Sequence, residues 1–262
     1  MRFLMVVLCC AGLVLSACQE PNPANSDDEV DGQNLSGVDL NNQDLRNADL
    51  ENADLSHANL QGTNLTNANL QGANLYDADL SNAILDGADL RSAGLSYALL
   101  WYTSLKGANL AGADLRFAEL VNANLTDADL ADTYVWDANM DQAILTNANL
   151  TNADLSGANL KNSDLRFADL PYTNLTDAIL IGANLEGASL KAAYMKRANL
   201  SNAYLFNANL TFGYLVDAIL TDSNLTDVIW QDTTCPDETN SDNNGDTCCG
   251  HLNDMEPWAG CD

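Results

Sequence analysis

Between Gln33 and Trp230 a large apolar residue returns at every fifth position without a break in register. Of the 40 positions from Leu35 to Trp230 in steps of five, 36 are leucine; Val135, Met140, Met195 and Trp230 fill the others. Two residues before each comes a small side chain: alanine stands at 29 of the 40, with Thr, Ser or Gly at most of the rest. The residue directly before the leucine is usually Asp or Asn, as in Ala48-Asp49-Leu50 and Ala68-Asn69-Leu70. Neither regular element accommodates this pattern. On an α-helix five residues advance about 500°, so the leucines would wander around the axis and form no stripe. On a flat strand an odd spacing sends alternate leucines to opposite faces. A chain that bends within each pentad and coils around its leucines buries them all. The pattern therefore predicts a solenoid over 33–230 filled by one large and one small residue per pentad.

The repeated unit A-(D/N)-L-x-x, as in Ala53-Asp54-Leu55-Ser56-His57 and Ala158-Asn159-Leu160-Lys161-Asn162, resembles the pentapeptide-repeat family. The resemblance covers about three quarters of the chain. It implies an all-β fold, a right-handed quadrilateral parallel β-helix with four pentads per coil. Forty pentads would then give about ten coils, a rod roughly 48 Å long at a strand spacing of about 4.8 Å. The first pentads carry Gln33, Val38 and Gln43 in place of the inward alanine, so Asp31 to Leu45 reads as a partial cap.

The segments outside the repeat differ in composition. Residues 1–17 hold Arg2, an apolar run from Phe3 to Leu15 and a small-residue site, the layout of a secretory signal rather than a membrane span. Leu15-Ser16-Ala17-Cys18 resembles the lipobox of bacterial lipoproteins, which implies cleavage before Cys18 and its lipidation. Gln19, which is not Asp, favours the outer membrane over the inner by the same analogy. Cys9 and Cys10 fall in the removed segment. Residues 18–32 carry two prolines, five acids and no large apolar residue but Val30, which suits a flexible acidic linker. Several acyl chains at Cys18 would hold such a tether on a membrane.

Residues 231–262 abandon the period and bring Cys235, Cys248, Cys249 and Cys261. Four cysteines in an exported segment read as two disulfides. Since adjacent Cys248 and Cys249 do not pair with each other, two connectivities stand open: Cys235–Cys248 with Cys249–Cys261, or Cys235–Cys249 with Cys248–Cys261. Either gives a stapled cap over the last coil, with Trp230 and Trp258 covering its leucines. The stretch Thr234 to Asp242 is similar to an appendix of exported pentapeptide-repeat proteins. A zinc site using these cysteines and His251 lacks a Cys-x-x-Cys spacing. Asn240, Asp242 and Asn244 resemble the opening of a calcium loop, but Asn holds its first position and His251 stands where a bidentate Glu should close it. An Asx-rich turn is the default there, and no cofactor is expected.

Charge narrows the partners. The chain has 37 acidic and 10 basic residues, a net of −27, and removing Arg2 with the signal makes it −28. A rod this acidic repels nucleic acid. Some pentapeptide-repeat proteins resemble duplex DNA in shape and charge and bind DNA gyrase; here the export signal points away from that DNA-mimic reading. On the expected 20-residue coil, outward aromatic residues gather. Tyr97 stacks on Phe117 with Trp136 at the next step, Trp101 lies on Val121, and Tyr102 adjoins Trp101, near Lys106 and Arg116. Tyr194 and Tyr214 form a second pair, and Tyr172 and Phe212 share a column. Such groups mark a candidate surface for an envelope protein, the plainer alternatives being covered corners or a homodimer contact. Only His57 and His251 could serve as histidine bases, no nucleophile has a partner, and the repeat strips carboxylate spacing and Asn-x-Ser/Thr triplets of meaning. The sequence reads as a non-enzyme.

Overall fold

The computed structural model describes residues 32–244 and 247–248. Every pentad repeats one backbone unit, and each residue preceding a leucine bridges in parallel to the residue twenty positions on. One column climbs in this way from Asn34 to Thr234, and three others run from Asp39 to Ile219, from Asp44 to Asn224 and from Asp49 to Ile229. These columns define four faces, named here by their first residue. A face is one bridging residue wide, and the leucine beside it points inward.

Why Asp or Asn precedes the leucine follows from where the backbone N–H groups go. In the pentad around Leu55, the Leu55 N–H reaches Asn74 O at 2.7 Å and the His57 N–H reaches Tyr76 O at 2.8 Å, both in the next coil. Asp54 N–H donates to Gln33 O in the preceding coil, and Ala58 N–H closes the turn on Leu55 O. One donor is left, the N–H of Ser56, and the Asp54 carboxylate accepts it at 3.1 Å. Asn64 does the same for Thr66, and Asn124 for Thr126. An Asx side chain two residues upstream thus completes the accounting of all five donors.

The turn has a second demand. All 40 turn positions from Gly37 to Asp232, the second residue after each leucine (Leu35 through Trp230), have positive φ. Twenty-nine of these are Gly, Asn or Asp, the residues that tolerate the left-handed region. A side chain there lies against the same position one coil later. A Cβ added to Gly62, Gly72 or Gly157 would sit 2.3–2.5 Å from the side-chain oxygen of Asn42, Asn52 or Asp137 respectively.

Inside, the leucines and alanines from Leu50 to Leu215 are almost all fully buried. A fully buried leucine contributes about 1.5–3 kcal/mol. Where Thr or Ser replaces the inward alanine, its hydroxyl donates to a leucine carbonyl. Thr63 reaches Leu40 O at 2.7 Å, Thr103 reaches Leu80 O at 2.8 Å, and Ser163 reaches Leu160 O at 2.8 Å. Buried hydroxyls are tolerated because a partner carbonyl is already in place.

Within the repeat, carboxylates do not stack one coil apart. None of the 24 acids between Leu35 and Trp230 has another acid twenty residues away within that span. On the Asp49 face the column reads Asp49, Asn69, Asp89, Asn109, Asp129, Asn149, Asp169. Asn69 Nδ2 donates to Asp49 at 3.0 Å and Asn149 Nδ2 to Asp129 at 2.8 Å. Amides separate the charges and bridge them, avoiding the repulsion of like charges directly opposite.

The two ends differ. At the first coil Gln33 is exposed, and Val38, Gln43 and Ala48 are half-buried, so the wider side chains stand where the inward position is open. Asp31, the first residue of the expected cap, lies outside the described residues. At the other end the chain doubles back. Thr234 pairs antiparallel with Asn240, and a single 3₁₀ turn follows over Ser241–Asn244. Cys235 and Cys248 form a disulfide and are fully buried. Ser241 is buried too, bonded through Oγ to Trp230 O and Thr233 N. Of the two connectivities left open, this pair belongs to the first; Cys249, Cys261 and Trp258 lie outside the described residues. So do residues 1–31, with Cys18 and the signal.

Candidate interaction surface

The corner between the Asn34 and Asp39 faces carries a continuous ladder of five rings. His57 meets Tyr76 edge-on at 5.5 Å, Tyr76 meets Tyr97 at 5.6 Å, Tyr97 stacks on Phe117 at 4.9 Å, and Phe117 meets Trp136 edge-on at 4.5 Å. These are the offset and edge geometries aromatic pairs prefer. The expected stack of Tyr97 on Phe117 is therefore present, with Trp136 edge-on at its end, and His57 and Tyr76 extend the ladder downward. Both were missed because successive rungs are spaced by 19, 21, 20 and 19 residues, alternating between the two corner positions rather than keeping a strict twenty.

Arg116 stiffens the ladder. Its Nε and Nη2 hold both Asp114 oxygens at 2.7 and 2.6 Å, and its Cζ lies 5.6 Å over the Trp136 ring. Burial pushes the Asp114 carboxyl upward, but the Arg116 hydrogen bonds outweigh it and hold the group below the ordinary carboxylate value. Arg46, Arg91 and Arg166 are clamped in the same way by the Asp two residues before each, and Arg197 by Asp177. All five arginines of the repeat are thus engaged, whereas none of its four lysines forms an ion pair among the described residues. His57 pairs with Asp77 at 3.0 Å with both side chains over half exposed, a contact worth little.

Trp101, Tyr102 and Val121 lie across the Asp39 face, on the next corner, and make no ring contact with the ladder. The single gathered patch expected from the sequence is therefore two aromatic corners joined by the half-buried Leu99 on the face between them. Trp101 stands one coil beyond Ser81, whose hydroxyl is the one buried side-chain polar atom without a partner among the described residues.

These side chains occupy positions that the backbone favours for others. Tyr97, Tyr102 and Phe117 have φ of 63°, 58° and 59°. The left-handed region costs an ordinary L-residue roughly 1–2 kcal/mol. Leu99 and Tyr134 take the place of the Asx that would accept the N–H of Trp101 and Trp136. Burial does not return the cost at Tyr102, Tyr97 and Trp101, which are 64 %, 46 % and 42 % exposed, whereas Phe117 and Trp136 are half-buried. Bulky residues retained at unfavourable and exposed positions point to use rather than packing.

The other candidates fare differently. Tyr194 and Tyr214 lie 5.9 Å apart but tilted by 45° rather than stacked. Asn240 Oδ1 accepts the Asp242 N–H at 2.9 Å, and Asp242 Oδ1 accepts the Asp232 N–H at 2.7 Å, so both take part in the turn. Asn244 ends the same turn, and His251 lies outside the described residues. The charge of Asp242 beside it raises the Asp232 carboxyl. Among the described residues no cluster of His, Cys, Asp or Glu could hold a metal ion, and no helix is long and apolar enough to cross a membrane.

The pattern described as pentapeptide repeats matches over residues 34–72, 73–110, 88–127, 123–162, 158–197, 183–222 and 198–229. The chain belongs to the pentapeptide-repeat family. Membership implies a right-handed β-helix, in accord with the parallel columns above. Among solved pentapeptide-repeat proteins, HetL of the cyanobacterium Nostoc sp., involved in heterocyst differentiation regulation, is 32 % identical over 81 % of this chain and 93 % of its own, with a TM-score of 0.32. A pentapeptide-repeat protein of the Arabidopsis thaliana thylakoid lumen is also 32 % identical, over 46 % of this chain and 70 % of its own, with a TM-score of 0.25. QnrB1, a plasmid-mediated fluoroquinolone resistance protein, is 18 % identical over 74 % of this chain and 90 % of its own, with a TM-score of 0.39. Among curated proteins none matches the chain in sequence.

Proposed function

We propose that this pentapeptide-repeat protein is a non-enzymatic, lipid-anchored interaction module of the bacterial cell envelope. In this reading residues 1–17 export it, Cys18 carries lipid, residues 18–32 tether it, and a rod of about ten coils displays its side chains in columns. A partner protein docks on the two aromatic corners beside the Asp39 face. The observation that carries the reading is the five-ring ladder from His57 to Trp136, exposed at His57, Tyr76 and Tyr97 and built on positive φ at His57, Tyr97 and Phe117. Replacing Trp101 and Phe117 together by alanine should cut recovery of a specific envelope partner several-fold while the circular dichroism spectrum stays unchanged. Undiminished recovery would overturn the docking surface.

The net charge of −27 favours a second reading, an acidic rod that occupies the DNA site of a protein such as gyrase. Against it, successive carboxylates in one column stand at least two coils, about 9–10 Å, apart. Phosphates along one DNA strand are about 3.4 Å apart along the axis. Labelling with a lipid precursor, lost in Cys18→Ser, supports the envelope reading; an unlabelled cytoplasmic chain supports the mimic. A third reading, calcium held by the tail, predicts a calcium-dependent melting shift that vanishes on changing Asp242.

A further inference from the structure

The corner between the Asp49 and Asn34 faces holds a ladder with one rung missing. Tyr172, Ala192 and Phe212 follow one another in its left-handed column, with φ of 59°, 54° and 61°. Equal backbone conformations give equal Cα–Cβ directions, so the Cβ atoms of Tyr172 and Phe212 are two coil rises, about 9–10 Å, apart. On the neighbouring corner, across the Asn34 face, the same kind of column puts Tyr97 on Phe117, one rise apart, with centroids at 4.9 Å and planes within 20°. The two-coil separation of Tyr172 and Phe212 leaves room for one ring between side chains extended in parallel. Ala192 leaves it unfilled.

We propose that this slot binds one aromatic side chain of a partner protein, which completes the stack as its middle rung. Tyr172 is 65 % exposed and Phe212 59 %, at backbone positions that disfavour bulky residues. Tyr194, 58 % exposed, adjoins the slot on the Asn34 face with Tyr214 above it at 5.9 Å. Lys191, one residue before Ala192, is exposed and forms no ion pair. It selects a ring carried in an acidic segment, and it repels the quaternary ammonium ions that aromatic cages otherwise attract. The slot lies on a different corner from the His57–Trp136 ladder, so it stands or falls apart from the envelope reading.

The test uses the full chain and a capped Asp-Trp-Asp peptide, followed by NMR shifts of the Tyr172 and Phe212 ring protons. Saturable binding in the millimolar range is expected, weakened at least tenfold by Tyr172→Ala or Phe212→Ala and about threefold by Lys191→Gln. Ala192→Tyr, which supplies the missing ring from within, should abolish binding while leaving the melting temperature unchanged or higher. Trp101→Ala, on another corner, should leave binding intact. Binding that persists in Ala192→Tyr, or shifts that never saturate, would overturn the proposal. Displacement of the peptide by tetramethylammonium at equal concentration would assign the slot to a cation and overturn it too.

Discussion

The Asp49 face and the corner that runs from His57 to Trp136 are built on one backbone, yet they carry opposite surfaces. On the face, Asp and Asn alternate, cap the turn N–H groups and bond to one another up the column. On the corner, rings replace residues the turn prefers and pack on each other, edge-on or stacked, instead. The first surface is what the fold asks for; the second departs from it. Outward positions where the repeat's own chemistry is overridden are therefore where function should be sought, and positions that obey it are framework.

The largest effect should come from a site that both regions share. Leu130→Ala removes a fully buried side chain in the middle of the rod and should cost about 2–5 kcal/mol in urea unfolding, whichever surface lies above it. A loss below about 1 kcal/mol would mean that the interior is looser than its burial implies. Next comes the cap: Cys235→Ser opens a bond between residues 13 apart in sequence and should lower stability by about 2–4 kcal/mol, reproduced in the native chain by reductant.

The comparison itself is sharpened by exchanging residues across it. Tyr102→Asn puts a tolerant residue at a positive φ and should stabilise the rod by about 1 kcal/mol; Asn122→Tyr, one coil on, should destabilise it by a similar amount. Equal and small effects of both would show that the turn does not discriminate, and the argument from unfavourable positions would fail. Asn149→Asp would line up three carboxylates at 129, 149 and 169 and should cost about 0.2–1 kcal/mol, relieved by salt. The smallest effect is with pH. Asp44, Asp89, Asp164 and Asp177 are held below the ordinary carboxylate value, first by the side-chain hydrogen bonds of Arg46, Arg91, Arg166 and Arg197. Their stabilisation is complete above about pH 4 and is lost as pH falls through the lowered values. Melting temperature should therefore decline on acidification below pH 4, and less so in a variant with Arg166→Gln and Arg197→Gln.

Much of this was legible beforehand, and for identifiable reasons. A period of five with Leu and Ala at fixed places fixes the interior, because only one inward path fits both. It also placed Tyr97, Phe117 and Trp136 together once a coil of twenty was adopted. Two things were not legible. The positive φ at every turn comes from backbone closure, and Asn, Asp and Gly in a polar repeat read simply as solvated surface. The extension of the ladder to His57 and Tyr76 depends on side chains leaning between the two corner columns, which a strict count of twenty does not register. The pairing of Cys235 with Cys248 needed the hairpin at Thr234 and Asn240, a local fold that no repeat announces.

The interleaving of Asp and Asn up the Asp49 face also restricts how such a chain can lengthen. Copying one coil that presents Asp would set it against its own duplicate, acid on acid, whereas copying an adjacent pair keeps the alternation intact. Growth by forty residues is thus electrostatically neutral where growth by twenty is not, and the natural unit of gene duplication for this rod is the double turn.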